Sequence, residues 1–347
     1  MNVLFIIGNG FDLQIGLPTR YSDFYQYYVS LESKSDSINQ LKKAIKDGPG
    51  DWSDLEMALG KYTAQVKSAQ EFCEAYDDLQ AALGNYILIV DDMMKSGEFV
   101  LNASYETLRK GFLYPEKVFS SDVEYTINGE FDRLSPGLSD GKSIYNANVL
   151  TFNYTHVIEH YLQKLFETHI INDSRYLNSA QHIHREVQNN QSIWVGVDNE
   201  EQIEYEPFRS KPDIQYRLLK PKIISASSRR MFNDAKKFIR SADVLVIFGA
   251  SLGPSDMTWV KEVAYKTTEG TIVLFFVYNG KSYPSDNAKL IDQEKIKSDF
   301  IKNMKDYGSK IPDDSRIFVE INSPIFTDGS QNNHDVNLDL VLNRLKG

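Results

Sequence analysis

The chain has a single cysteine, Cys73, in 347 residues. A disulfide within the chain is excluded, and there are too few thiolates for a cysteine-built zinc site. Cys73 sits in Glu71-Phe72-Cys73-Glu74-Ala75 with helix-like neighbours and no activating partner nearby in sequence. It reads as a core or half-buried residue rather than a nucleophile. Scarce cysteine fits a reducing compartment. No basic-then-apolar leader precedes the first apolar run, so the expected location is the cytoplasm. Long apolar runs are missing too: nothing approaches the roughly 20 residues that span a bilayer. Val244–Phe248 and Ile272–Val277 read as buried strands, and no membrane contact is expected. Positive charge is short, with 38 Lys and Arg against 48 Asp and Glu, a net charge of −10. That balance argues against a broad nucleic-acid footprint while leaving room for a local basic cleft.

What is present begins at the first residues. The apolar run Val3 to Ile7 breaks into Gly8-Asn9-Gly10-Phe11-Asp12. A buried strand ending in Gly-x-Gly is a common entrance to a phosphate-binding turn in an α/β fold. The match is partial, because the third glycine of the longer fingerprint is replaced by Leu13. The plainer reading is a tight strand–helix turn without a ligand.

Further along, Tyr21, Phe24, Tyr25 and Tyr28 recur at helical spacing. Residues 52–95 read as one long helical stretch after the Gly48-Pro49-Gly50 break. Residues 20–110 therefore read as an α-helical insertion. The segment 112–143, rich in glycine and proline, reads as loops with a short hairpin. Strands are expected at 148–152, 192–197, 244–248, 271–277 and 316–319. Helices are expected at 156–166, 231–240, 257–266, 293–304 and 339–345. Alternating strands and helices imply a mostly parallel sheet covered on both faces. The expectation is one α/β domain over residues 1–347, a Rossmann-like three-layer sheet with the helical insertion.

Three strands stop abruptly at small and polar residues: Gly8-Asn9-Gly10-Phe11-Asp12, Thr151-Phe152-Asn153-Tyr154-Thr155 and Gly249-Ala250-Ser251-Leu252-Gly253. Ligands of open parallel sheets bind beyond the carboxyl ends of the strands, so these loops are expected to converge. Asp12 accepts a ribose hydroxyl or caps the next helix. Asn153 holds a ribose hydroxyl, a carboxamide or an attacking water, or else serves as a turn residue. Thr155 and Asp256 suit helix caps, although Asp256 also has the option of reaching back to the site. His182 and His184 share one face if their segment is extended, and either is a natural general base. Their spacing is no metal signature, and none is expected. His156 and His160 read as a helix surface. Gly249-Ala250-Ser251-Leu252-Gly253 fits the bare Gly-x-Ser-x-Gly of a hydrolase elbow, but only His334 follows it as a triad histidine. A metal-dependent nuclease would instead draw on Asp12, Glu56 and Asp256.

Taken together, these segments resemble the AbiH family of bacterial phage abortive-infection proteins. The resemblance is carried by Leu4 to Leu13, Gly16-Leu17-Pro18-Thr19, Tyr21-Ser22-Asp23-Phe24, Trp52-Ser53-Asp54-Leu55-Glu56, Thr151 to Thr155, His182-Ile183-His184 and Gly249 to Asp256. AbiH proteins are in turn distantly similar to SIR2-like NAD-consuming proteins. That resemblance implies a first turn, at Gly8 and Gly10, that binds NAD phosphates. It implies that Asn153 and His184 position water and ribose, and that the Ser251 loop holds the nucleotide. Arg185 stands where the SIR2-like pattern has glycine, and Ala250 is a loose match. The implied catalytic pair is Asn153 and His184. The implied nucleotide contacts are Gly8, Asn9, Gly10, Phe11, Asp12, Thr151, Gly249, Ser251 and Asp256. NAD would be substrate rather than redox cofactor, with no structural zinc. A phage-derived trigger or partner protein, and a homo-oligomer, are compatible with this picture. A non-catalytic nucleotide sensor is the alternative outside enzymology.

Overall fold

Val3, Leu4, Phe5, Ile6 and Ile7 are each at most 1% exposed, which requires a strand covered on both faces. The computed structural model describes residues 1–138, 140–167, 175–184, 193–308, 310–328 and 333–346. Among them, six strands form one sheet: β1 (Asn2–Ile7), β2 (Tyr145–Thr151), β3 (Arg175–His182), β4 (Val244–Phe248), β5 (Ile272–Val277) and β6 (Ile317–Ile321). Their order is β3-β2-β1-β4-β5-β6, and every ladder is parallel. This is the expected Rossmann-like α/β arrangement. The chain winds outward through β2 and β3, then returns to the other side of β1 for β4. The β1–β4 boundary is thus the topological switch point.

Residues on the strands alternate between two cores. Val3, Phe5, Ile7, Val246, Phe248 and Leu274 face the helices that precede β2. These are α1 (Gly10–Gln14), α2 (Tyr21–Tyr28), α3 (Asp36–Asp47), α4 (Leu55–Tyr62), α5 (Ala69–Lys95), α6 (Tyr105–Leu113) and α7 (Ser121–Leu134). After β2 comes α8 (Val157–Glu167); α9 (Pro212–Leu218), α10 (Lys220–Ser227) and α11 (Arg229–Ser241) lead into β4. Leu4, Ile6, Leu245, Ile247 and Val273 face the second core, built with α11, α12 (Met257–Thr267) and α13 (Asp286–Tyr307). The last helix, α14 (His334–Lys346), packs on α2 and α5. There His334 Nε2 lies 2.8 Å from Asp23 Oδ2, and the buried Asn337 amide donates to the carbonyls of Gly16 and Val100. Among the described residues, no helix is long and apolar enough to cross a membrane.

Three local expectations are corrected. The long helix expected over 52–95 is two helices, because Asp54 and Ser68 each cap a new start. Residues 112–143 are helical in large part. Val123, Ile127, Phe131 and Leu134 give α7 its apolar stripe, and Gly129 faces open space, where a helical glycine costs only about 1 kcal/mol. Of the strand expected at 192–197, Ser192 lies outside the described residues. Ile193–Val197 is buried but does not join the sheet. Its carbonyls are bound by α5 instead: Tyr76 donates to Val195 O at 2.7 Å and Gln80 to Ile193 O at 2.7 Å.

Two strand-end loops cross with almost no clearance at the switch point. Gly8 N–H donates to Phe248 O at 2.9 Å, and Gly10 N–H to Gly249 O at 3.0 Å. A Cβ on Gly8 would lie 2.5 Å from Gly249 O, and one on Gly10 would lie 2.5 Å from Gly249 Cα. Gly249 itself has φ +61°. The glycines are therefore required by contact between two backbones. Gly8→Ala is expected to cost about 1–3 kcal/mol through overpacking. Gly84→Ala on α5, where a Cβ meets nothing within 4 Å, is expected to be neutral or to stabilise by up to about 1 kcal/mol. Urea unfolding of both variants checks the contrast, and equal effects would refute the tight crossing.

Candidate functional site

A cavity of about 690 Å³ opens beyond the carboxyl ends of the central strands. Its floor comes from Gly8 after β1, Asn153 after β2 and Gly249 to Leu252 after β4. Tyr21 of α2, Glu56 of α4 and Tyr86 of α5 form the opposite wall. The three loops therefore meet at one place, and His184, two residues past β3, joins them. Leu252 holds φ +47°, an unusual left-handed conformation for a residue with a branched side chain.

Asn153 is only 5% exposed, and its amide is held on one side. Its Nδ2 donates to Asp12 Oδ1 at 2.9 Å, while among the described residues its Oδ1 has no hydrogen-bond partner. Leaving such an oxygen unmet costs about 1–3 kcal/mol. The second oxygen of Asp12 accepts from the Thr155 hydroxyl at 2.7 Å. Asp12 lies inside the first turn of α1, so it caps no helix; it ties α1 to the loop after β2. Thr155 likewise spends its hydroxyl on Asp12. Burial is the main force raising the Asp12 carboxyl to about 7; the Thr155 and Asn153 hydrogen bonds oppose it, and Asp91 adds to it.

His184 is turned by a buried charge cluster. Its Nε2 lies 2.8 Å from Asp256 Oδ1 and 3.3 Å from Lys220 Nζ. Lys220, 2% exposed, donates to Asp256 Oδ1 at 2.7 Å and to Glu56 Oε2 at 2.8 Å. Burial by itself would lower the lysine, but Asp256 and Glu56 together raise it above its usual value. Burial would raise Asp256, yet Lys220 and His184 hold it well below the carboxylate range. Glu56 stays above its usual value because burial outweighs Lys220. Asp256 thus makes no side-chain cap for α12 and reaches back to the site. With Nε2 committed, Nδ1 has no hydrogen-bond partner among the described residues, and the ring lines the cavity. In the neutral ring, an Nε2–H donated to Asp256 leaves the Nδ1 lone pair as an acceptor.

The other sequence-derived residues divide. Asn9 and Ser251 line the cavity, the former locked by Thr19 through bonds of 2.6 and 2.9 Å. Phe11 does not; its ring packs on Phe326 and Phe248 in the core. Thr151 is fully buried and accepts from the Asn153 N–H at 3.1 Å. The amides of Gly8 and Gly10 are already engaged in the crossing, so a phosphate would have to find other donors. His182 points elsewhere than His184, with Nδ1 2.8 Å from Asn153 O and Nε2 2.8 Å from Glu159 Oε1. His156 pairs with Asp91, and His334, the histidine a Ser251 triad would need, pairs with Asp23. Cys73 is half-buried, and burial raises its thiol. Among the described residues, no group of three or more His, Cys, Asp or Glu is placed to hold a metal ion.

Sequence reasoning missed Lys220. Its one signal is position: a lysine directly after the apolar Leu218-Leu219 and before Pro221, where a helix begins in the interior. Lys220→Met would leave two buried carboxylates facing each other and is expected to lose about 3–5 kcal/mol in urea unfolding. A loss below about 1 kcal/mol would mean that the cluster is solvated. Asp12 supplies a pH test. Its folded value, about 7, lies above the unfolded 3.8. Its contribution to stability is therefore complete below the unfolded value and is lost as pH rises through about 7. Asp12→Asn removes that loss, so the stability of the variant relative to the parent should climb between about pH 4 and pH 7 and level off above it. A flat difference would contradict the elevated value.

Residues 4–278 match the model of the bacteriophage abortive infection AbiH family. No curated protein matches the chain. The matched stretch contains β1 to β5 and every loop that lines the cavity floor. With that span covering most of its length, the chain belongs to the bacteriophage abortive infection AbiH family.

Proposed function

We propose that this protein is an abortive-infection effector that hydrolyses the N-glycosidic bond of NAD or a closely related nucleotide. The observation that carries the proposal is Asn153. A buried amide oxygen without a protein partner, fixed by Asp12 over the switch-point cavity, is an acceptor prepared for a ligand hydroxyl or a water. His184 adds a base whose other nitrogen is oriented by Asp256. The distant resemblance of these motifs to SIR2-like proteins, read from the sequence, implies the same chemistry.

In this reading, Asn153 Oδ1 accepts from a ribose hydroxyl or from the attacking water. The bond between the ribose anomeric carbon and the nicotinamide nitrogen breaks, and its electron pair neutralises the pyridinium. The water oxygen bonds to that carbon, and its proton passes to His184 Nδ1 and then to solvent. Nicotinamide and ADP-ribose leave. Positive charge builds on the ribose in the transition state, and Asp12 in its ionised form lies one residue contact behind Asn153 to stabilise it. The phosphodiesterase alternative is disfavoured by Lys220, whose ammonium already lies between Glu56 and Asp256.

Purified protein incubated with NAD should release nicotinamide and ADP-ribose. Asn153→Ala and His184→Ala should each slow release by about a hundredfold or more. NAD left intact both in vitro and in cells challenged with phage would refute the proposal.

A further inference from the structure

A second chamber of about 600 Å³ adjoins the first. The two share Asn9, Arg20, Tyr21 and Ser53 in their walls. The second belongs wholly to the first turn after β1 and to the helices that follow. Its far wall is aromatic. Tyr21 and Tyr25 are stacked with nearly parallel planes, 21° apart with centroids at 6.5 Å, and Trp52 stands edge-on to Tyr25 at 86°. The Tyr25 hydroxyl donates to Trp52 O at 2.9 Å, which fixes that ring. Tyr21 is half-buried and lines both chambers.

The charged residues in the walls of this chamber are Arg20 and Lys46, both cationic, in a chain of net charge −10. Among the described residues, neither makes an ion pair. Arg20 is exposed at the seam between the chambers, and Lys46, exposed in the last turn of α3, lines the second chamber and not the first. Aromatic faces stack on nucleobases, and unpaired arginine and lysine bind phosphate oxygens. One chamber alone is of the size that holds a single small ligand.

We infer that the second chamber is a binding site for a nucleoside phosphate, and that the substrate is therefore a dinucleotide lying across both chambers. The non-reacting adenosine half stacks against the Tyr21–Tyr25–Trp52 wall. Its phosphates meet Arg20 at the seam and Lys46 within the second chamber. The reacting ribose then lies over Asn153 and His184. The dinucleotide part of this inference rests on the NAD reading; the binding site itself does not. Binding energy gathered by the remote half is the means by which such a site orients the reacting bond.

The test is direct binding of ADP by titration calorimetry to the full chain, Lys46→Glu and Tyr21→Ala, with thermal unfolding to confirm that each variant is folded. Lys46 is exposed and lines only the second chamber, so its reversal reports on that chamber alone. ADP should bind the parent, and Lys46→Glu should weaken it by about tenfold or more, with Tyr21→Ala acting in the same direction. That result stands even if NAD is never cleaved, in which case only the hydrolase reading falls. Absence of ADP binding to the parent, or equal binding to parent and folded Lys46→Glu, overturns the chamber assignment, whatever happens to NAD.

Discussion

The ammonium of Lys220 is held between two carboxylates inside the protein. Glu56 comes from a helix between β1 and β2 and Asp256 from the loop after β4, and Asp256 in turn accepts from His184, beyond β3. Each of these segments alone would leave a buried charge unmet, a situation that costs several kcal/mol. Together they form a compensated cluster that fixes the helical wall against the sheet and, through Asp256, sets the orientation of the histidine ring. The cavity has its shape because these charges are satisfied only in this arrangement.

A second constraint is steric. The loops after β1 and β4 touch backbone to backbone at Gly8, Gly10 and Gly249. This places the two halves of the sheet in contact at their ends and leaves the space above them for a ligand. The same glycines that resemble a phosphate-binding turn are therefore used to bring the floor together, and the polar groups that line the cavity are side chains, Asn153, Asp12, His184 and Arg20 among them.

Much of the fold is legible in the sequence because parallel strands buried on both faces are written as unbroken apolar runs; Val3 to Ile7 and Val244 to Phe248 admit no other reading. Asn153 was visible for a related reason, since abrupt polar residues after such a run mark a strand end, whereas His184 stood out by its alternation with His182. What was hidden depends on distant partners. Nothing local separates the reach of Asp256 toward Lys220 from a helix cap. Ile193 to Val197 looks like a strand, yet tyrosine and glutamine side chains of α5 satisfy its carbonyls in place of a neighbouring strand. Helix α7 was obscured by Gly129, whose cost is small where it faces open space.

The joining of His334 to Asp23 links residues 311 positions apart. Asp23 lies on α2, the helix that also carries Tyr21, while His334 begins the last helix. A chain emerging from the ribosome makes the loops of the cavity floor before it makes this clasp. Until His334 has been added, the α2 wall lacks that support. The wall of the cavity is thus finished later than its floor.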